Sequence, residues 1–282
     1  MGDLGNAFYI GNNRAMISLG PLTDKKYCPY NCAFCYVKSG FTKYTKMEIE
    51  DIIEFLIKNR KNYDIIYISG DTDSFAPPRT DKAIELIKRI SEVVSVDIMF
   101  TTRTIFDIES LTKLRKINEC MKTKNNKLIA SISISRLYSA NYIEPYPIPT
   151  PEERIETIKN LKENGLYTIL ATRPFLPIIS ANEYIQIIRK TQNYVDCVIG
   201  EVWYTNEELI ENTCKDINIE EISFVDKKMD FDNNDIIWKC YEAKETVKEV
   251  AKYCNENNIP FYMRSQPAVE YIRNIEFWQI LL

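Results

Sequence analysis

Apolar, β-branched runs punctuate the chain at Ala15–Leu19, Asp64–Ser69, Val96–Thr102, Leu128–Ser133, Tyr167–Thr172 and Cys197–Trp203. From the second onward they recur roughly every thirty to forty residues, the spacing of repeated βα units. Amphipathic stretches lie between them. Lys46–Asn59 places Ile49, Ile52, Ile53 and Leu56 on one helical face, and Asp81–Val94 does the same with Ile84, Ile87, Ile90 and Val94. Thr150-Pro151-Glu152-Glu153 predicts a helix start, with a threonine cap, proline at the first position and acids at the positive end. Asn164-Gly165 predicts its end.

Six such units predict an α/β fold, an open, partial (β/α)6 barrel of parallel strands joined by crossovers. By analogy with full barrels, chemistry belongs at the C-terminal strand ends. The expected division is a core over residues 1–205 and a C-terminal extension over 206–282 that caps or completes the barrel. Asn206–Asp235 is polar, acidic and without a strong period, and reads as a loop-rich cap. Asp235–Asn257 reads as helix, and Ile259–Met263 as a late strand.

At 282 residues, 45% hydrophobic and 27% charged, the composition is that of a globular protein. A formal net charge of −4 argues against general nucleic-acid affinity, though it permits a local basic groove. No apolar run is long enough to span a bilayer, and Met1–Asn13 lacks the regions of a signal peptide. Gly2 is followed by Asn6 where a myristoylation motif needs Ser or Thr. Eight cysteines without a disulfide-like framework point to a reducing, cytoplasmic location.

Three of those cysteines stand close together in Cys28-Pro29-Tyr30-Asn31-Cys32-Ala33-Phe34-Cys35-Tyr36, spaced C-x3-C-x2-C. A structural zinc site needs four ligands, yet the chain has no histidine and its next cysteine is Cys120. Disulfide pairing would leave one of the three over. Three thiolates suit a [4Fe–4S] cube whose fourth iron lacks a protein ligand. Such an iron is open to a small molecule.

The motif, with Phe34 before the last cysteine, resembles that of the radical S-adenosylmethionine (SAM) superfamily. The resemblance implies the same partial barrel, metal ligation by Cys28, Cys32 and Cys35, and SAM chelated at the open iron. It implies reductive cleavage of SAM to a 5′-deoxyadenosyl radical that abstracts hydrogen from a substrate. It also implies a reductant such as flavodoxin or ferredoxin. Phe34 and Tyr36 then line the cluster and adenine region, a role that aromatic faces suit.

Further segments resemble the branch containing spore photoproduct lyase, over roughly residues 15–180. Gly70, Asp71, Thr72 and Asp73 fall where that family contacts the SAM amino group, and carboxylates and carbonyls accept from an ammonium. The same residues also read as an Asx-type turn. Arg103, in Thr101–Thr104, stands where a cation would hold the SAM carboxylate, and Ser133 and Ser135 match hydroxyl residues near the ribose. Glu144-Pro145 and Pro149–Arg154 match another segment of the branch. The branch has an arginine where this chain has Ala171; Arg173, two residues on and on the same strand face, replaces it as a carboxylate or substrate contact.

The lyase uses a cysteine hydrogen donor some way past the cluster motif, and this chain has none between Tyr36 and Glu119. Cys197, Cys214, Cys240 and Cys254 read as small buried hydrophobes. Glu201 beside Trp203 and Tyr204 reads either as a substrate-orienting group or as packing; Arg264 and Gln266 are weaker candidates. No catalytic acid or base is assigned. The alternatives are a DNA repair enzyme like the lyase and an iron–sulfur protein that transfers electrons or binds a partner without SAM chemistry. The substrate stays open among small molecule, peptide and nucleic acid.

Overall fold

The computed structural model describes residues 9–11, 13–19, 28–39, 48–70, 72–228 and 237–275. Asp71, most of the N-terminal segment and residues 229–236 of the expected cap lie outside the described residues. The chain divides into two compact units.

The first unit comprises residues 1–30, 37–132 and 147–168. Strand β1 (Tyr9–Gly11) runs antiparallel to β2 (Arg14–Ile17), with Tyr9 opposite Met16. Helix α1 (Ile49–Lys58) leads to β3 (Ile65–Ile68), α2 (Thr80–Val93) to β4 (Asp97–Thr102), and α3 (Ile108–Thr123) to β5 (Leu128–Ser133). The strands β2 to β5 pair in parallel in sequence order, Ala15 beside Ile66, Ile66 beside Ile98, and Phe100 beside Ala130. Every residue of β3 and β5 is buried, as expected of parallel strands in an α/β fold. Helix α2 turns Ala83, Ile84, Leu86, Ile87 and Ile90 inward, the stripe its periodicity predicts.

Helix α4 (Pro151–Glu163) starts where expected. The Thr150 hydroxyl accepts the Glu153 amide at 3.2 Å, and the Glu153 carboxylate accepts the Thr150 amide at 2.8 Å. This reciprocal cap satisfies two donors that the first turn cannot. Thr150→Ala is expected to lower stability by about 1 kcal/mol, read as a shifted urea midpoint at constant slope. Gly165 follows the helix at φ 79°, a left-handed backbone suited to glycine.

The second unit comprises residues 31–36, 133–146 and 169–282. Strand β6 (Tyr167–Thr172) enters it from the first unit, followed by α5 (Ala181–Thr191) and β7 (Cys197–Gly200). Next come β8 (Trp203–Thr205), α6 (Glu207–Thr213), β9 (Val225–Lys228), β10 (Ile237–Tyr241), α7 (Lys244–Glu256), β11 (Phe261–Tyr262) and α8 (Ser265–Arg273). Strands β6, β7 and β11 pair in parallel, Leu170 beside Val198 and Val198 beside Phe261. Strands β8, β10 and β9 form a separate antiparallel sheet in that order.

Two segments differ from the sequence expectation. The sixth run is not one strand through Trp203: β7 stops at Gly200 and the chain enters the small sheet as β8. The Phe175 amide donates to the Glu201 carbonyl at 2.9 Å, and the Phe175 ring occupies the space a side chain on Gly200 would need. The expected helix from Asp235 is instead β10, followed by Ala243 at φ 52° and then α7. Pairing with β9 and with β8, the latter distant in sequence, overrides local helix preference.

Candidate functional site

In the first unit, a hydrogen-bonded network joins the C-terminal ends of β2, β3 and β4. Leu19, just past β2, accepts at its carbonyl from Arg79 Nη1 at 2.6 Å and from the Thr72 hydroxyl at 3.4 Å. Its amide donates to Ser74 Oγ at 2.9 Å. Arg79 Nη2 also donates to the Asp73 carbonyl at 2.8 Å. Arg79 thus clamps the loop after β3 to the end of β2, with fork geometry that only a guanidinium supplies.

Asp73 is buried at the centre. Its carboxylate accepts from the Thr102 hydroxyl at 2.8 and 3.0 Å, the Arg103 amide at 2.6 Å and the Phe75 amide at 3.0 Å. Thr102 in turn accepts from the Thr104 amide at 2.9 Å, and Thr104 Oγ1 meets the Tyr30 hydroxyl at 2.9 Å. Tyr30 lies between Cys28 and Cys32 in sequence. Burial pushes the Asp73 carboxyl above the ordinary aspartate range, while its donors and the Arg103 charge pull against that rise. Burial, reinforced by Asp73, also drives the Tyr30 hydroxyl well above the usual phenol value. Phe75, Phe100 and Phe106 pack beside this loop, with ring centroids 4.7 to 6.2 Å apart.

The expected ammonium contacts therefore differ among themselves. Asp73 and Thr72 are buried and engaged with protein groups, whereas Gly70 is exposed at the end of β3. Arg103 and Cys28 are half-buried.

In the second unit, the cysteine loop is held from several sides. The Ala33 amide donates to the Ile143 carbonyl at 2.8 Å and the Cys35 amide to the Cys32 carbonyl at 3.3 Å. Trp203 Nε1 donates to the Phe34 carbonyl at 3.0 Å. The Tyr36 ring meets Trp238 edge-on, centroids 6.0 Å apart. Cys32 and Phe34 are buried, Cys35 and Tyr36 half-buried.

Ser133 and Ser135 are buried, and the Ser135 hydroxyl donates to the Arg173 carbonyl at 2.8 Å. Arg173 Nη1 donates to Ser265 Oγ at 2.8 Å and lies 3.7 Å from Glu201 Oε2. Burial raises the Glu201 carboxyl, and the charges of Arg173 and Arg264 draw it back. Glu144 pairs with Arg136 at 3.6 Å, both buried. Cys197, Cys214, Cys240 and Cys254 are buried, as expected; burial pushes the Cys214 thiol to about 11 and the Cys254 thiol to about 12.

Sequence reasoning missed Arg79, Tyr30, Trp238 and Glu183. Glu183 Oε1 accepts the amides of Leu137, Tyr138 and Ser139 at 2.6, 2.9 and 3.1 Å, and Oε2 accepts the Ser139 hydroxyl at 2.6 Å. Its only signal was an acid in the first turn of α5. Glu183→Ala strands these donors, and thermal unfolding should show a loss of about 3 kcal/mol.

None of the three motif cysteines is in a disulfide. Soft thiolates in this number are the donor set of an iron–sulfur cluster. Among the described residues, no three Cys, His, Asp or Glu side chains close on a single-ion site. That geometry differs from thiolates carried on separate irons of one cluster. The donor chemistry fits the cluster.

The family model described as the Radical SAM superfamily matches residues 25–191, more than half of the chain. The chain belongs to this superfamily, whose enzymes use a [4Fe–4S] cluster and SAM. An uncharacterized protein of Methanocaldococcus jannaschii is 26% identical over 170 residues, 56% of this chain and 61% of that protein. The chain thus spans about three fifths of the curated relative it matches.

The radical SAM methyltransferase TsrM of Kitasatospora setae, with cobalamin and a [4Fe–4S] cluster bound, superposes with a TM-score of 0.57 at 10% identity. The match covers 92% of this chain and 57% of TsrM. The same enzyme with tryptophan and a SAM analogue bound gives 0.55 at 10% identity, covering 86% and 52%. At such identity the likeness is one of fold, and it agrees with the expected partial barrel. The observed sheet carries seven parallel strands rather than six, because β11 adds to β7. No helix among the described residues is long and apolar enough to cross a membrane.

Proposed function

We propose that Cys28, Cys32 and Cys35 hold a [4Fe–4S] cluster at which SAM binds, and that the chain is a radical SAM enzyme acting on a substrate yet to be identified. When bound and reduced, the cluster supplies one electron to SAM, giving methionine and a 5′-deoxyadenosyl radical that takes a hydrogen atom from the substrate. The observation that carries the reading is the bonded path from Tyr30, inside the cysteine motif, through Thr104 and Thr102 to Asp73. It links the metal motif to the loop after β3, where the family binds SAM.

In this reading Gly70, beside Asp71 and Thr72, offers backbone to the SAM ammonium, and Asp73 braces that loop. Arg103 faces the carboxylate, Ser133 and Ser135 the ribose side, Phe34 and Tyr36 the adenine side, and Arg173 a carboxylate of SAM or substrate. Residues 1–205 form the core and 206–282 its extension. A cytoplasmic one-electron carrier such as flavodoxin or ferredoxin supplies the electron. The likeness to the spore photoproduct lyase branch supports a DNA substrate as the second reading. The test is anaerobic reconstitution, reduction with dithionite and assay for 5′-deoxyadenosine with SAM present. SAM-dependent product supports the reading; a full cluster whose EPR spectrum ignores SAM overturns it.

A further inference from the structure

The small sheet β8–β10–β9 reaches the cysteine loop at two points, on either side of Cys35. Before it, the Phe34 carbonyl accepts from Trp203 Nε1 at 3.0 Å, across 169 residues of sequence. After it, the Tyr36 ring stands edge-on against Trp238 at 6.0 Å and 81°. Trp203 lies on β8 and Trp238 on β10, and the two strands pair directly, Trp203 opposite Tyr241 and Tyr204 opposite Cys240. Tyr204, Trp238 and Cys240 form a buried cluster on which Tyr36 and Val202 pack. Trp203 is itself 1% exposed, and a buried indole N–H requires an acceptor.

We propose that Trp203 is a positioning residue for the metal site, and that the small sheet fixes the backbone on both sides of Cys35 so that its thiolate is aimed before metal arrives. The proposal rests on the reading that Cys35 ligates the cluster. Outer groups that orient a ligand also tune the metal it holds, so loss of the indole bond registers in the cluster and not only in stability. The Ala33 and Cys35 amides tie the same stretch to Ile143 and Cys32, and the indole bond adds a restraint at the Phe34 carbonyl that those two do not reach.

The test is W203F in the full-length, anaerobically reconstituted protein, beside Phe224→Leu. Phe224 packs on Trp203 at 6.4 Å and touches the sheet without the indole bond, so its variant reports general loosening. W203F is expected to shift the EPR g-values of the reduced cluster. It should also raise amide exchange over residues 31–36 about fivefold, the ratio for one hydrogen bond worth about 1 kcal/mol. Phe224→Leu should leave the g-values as in wild type. Wild-type g-values and exchange in W203F would reduce Trp203 to a core filler and overturn the proposal.

Should W203F not fold, Trp238→Leu tests the other support, with an unchanged EPR spectrum as the overturning result. Exchange over residues 31–36 is also read on the full-length chain before reconstitution. If no cluster forms in wild type, the cluster reading fails by itself, while that exchange comparison still decides whether the indole holds the loop.

Discussion

Cys32→Ala is expected to yield a folded protein that retains no intact cluster after reconstitution and forms no 5′-deoxyadenosine above the protein-free background. Cys32 is the most buried of the three motif cysteines, so its thiol has little solvent to lose and its replacement removes a single sulfur. Two thiolates cannot hold three irons of a cube, and the chain has no histidine to substitute. Cys120 is exposed on α3, and the other four cysteines have thiols placed in apolar interiors. Iron and sulfide analysis, the visible absorption of the cluster and chromatography of the nucleoside product measure the three parts separately. Full iron content with wild-type product in Cys32→Ala would show that Cys32 is not a ligand.

Asp73→Ala is expected to cost about 4 kcal/mol, near the upper end for a single substitution. Alanine strands the Thr102 hydroxyl and the Arg103 and Phe75 amides in a buried place that the carboxylate now fills. It also releases the loop after β3 from β4, leaving Arg79 as its main tie to Leu19. Asp73→Asn keeps one carbonyl acceptor but turns an NH2 group toward these donors, and should cost about 2 kcal/mol. Urea unfolding of the full chain without SAM measures both. If Asp73 served only as a SAM contact, unfolding would be unmoved and the loss would fall on SAM affinity alone. The hydrogen bonds place most of the effect on stability, with weaker SAM binding following from a loosened loop.

The legible parts of the fold were those whose reasons are local. The runs at Leu128–Ser133 and Tyr167–Thr172 became strands over those same residues, because long β-branched stretches between helices leave few other options. The helix start at Thr150 was written in four consecutive residues. The small sheet was not legible. Strand β9 reads Val-Asp-Lys-Lys and is largely exposed, which in isolation is a loop pattern. Strand β10 acquires its identity from pairing with Val225–Lys228 and with Trp203–Thr205, the second of which no local window contains. The continuity of Cys197–Trp203 misled for a related reason: periodicity marks a residue as strand-forming but does not say which sheet it joins.

The site divides along the same line. The cysteine spacing is visible within eight residues, and on the proposed reading one metal group dictates it. Asp73 was visible as an acid after a strand, but its partners Thr102 and Arg103 lie about thirty residues onward, so whether it faced a ligand or the protein was open. Arg79 and Trp203 act through backbone carbonyls of Leu19 and Phe34, and a carbonyl leaves no trace in residue identity.

The two tryptophans that flank Cys35 through its neighbours also bear on how the protein is made. Both are synthesised long after the cysteines: a chain emerging from the ribosome displays its cysteine segment while Trp203 and Trp238 are still untranslated. A nascent chain therefore carries three thiols on an untethered segment, open to stray metals and oxidants. On the proposed reading, iron loading into a shaped site belongs to the finished polypeptide, and late truncations should release protein that folds in part yet accepts metal poorly.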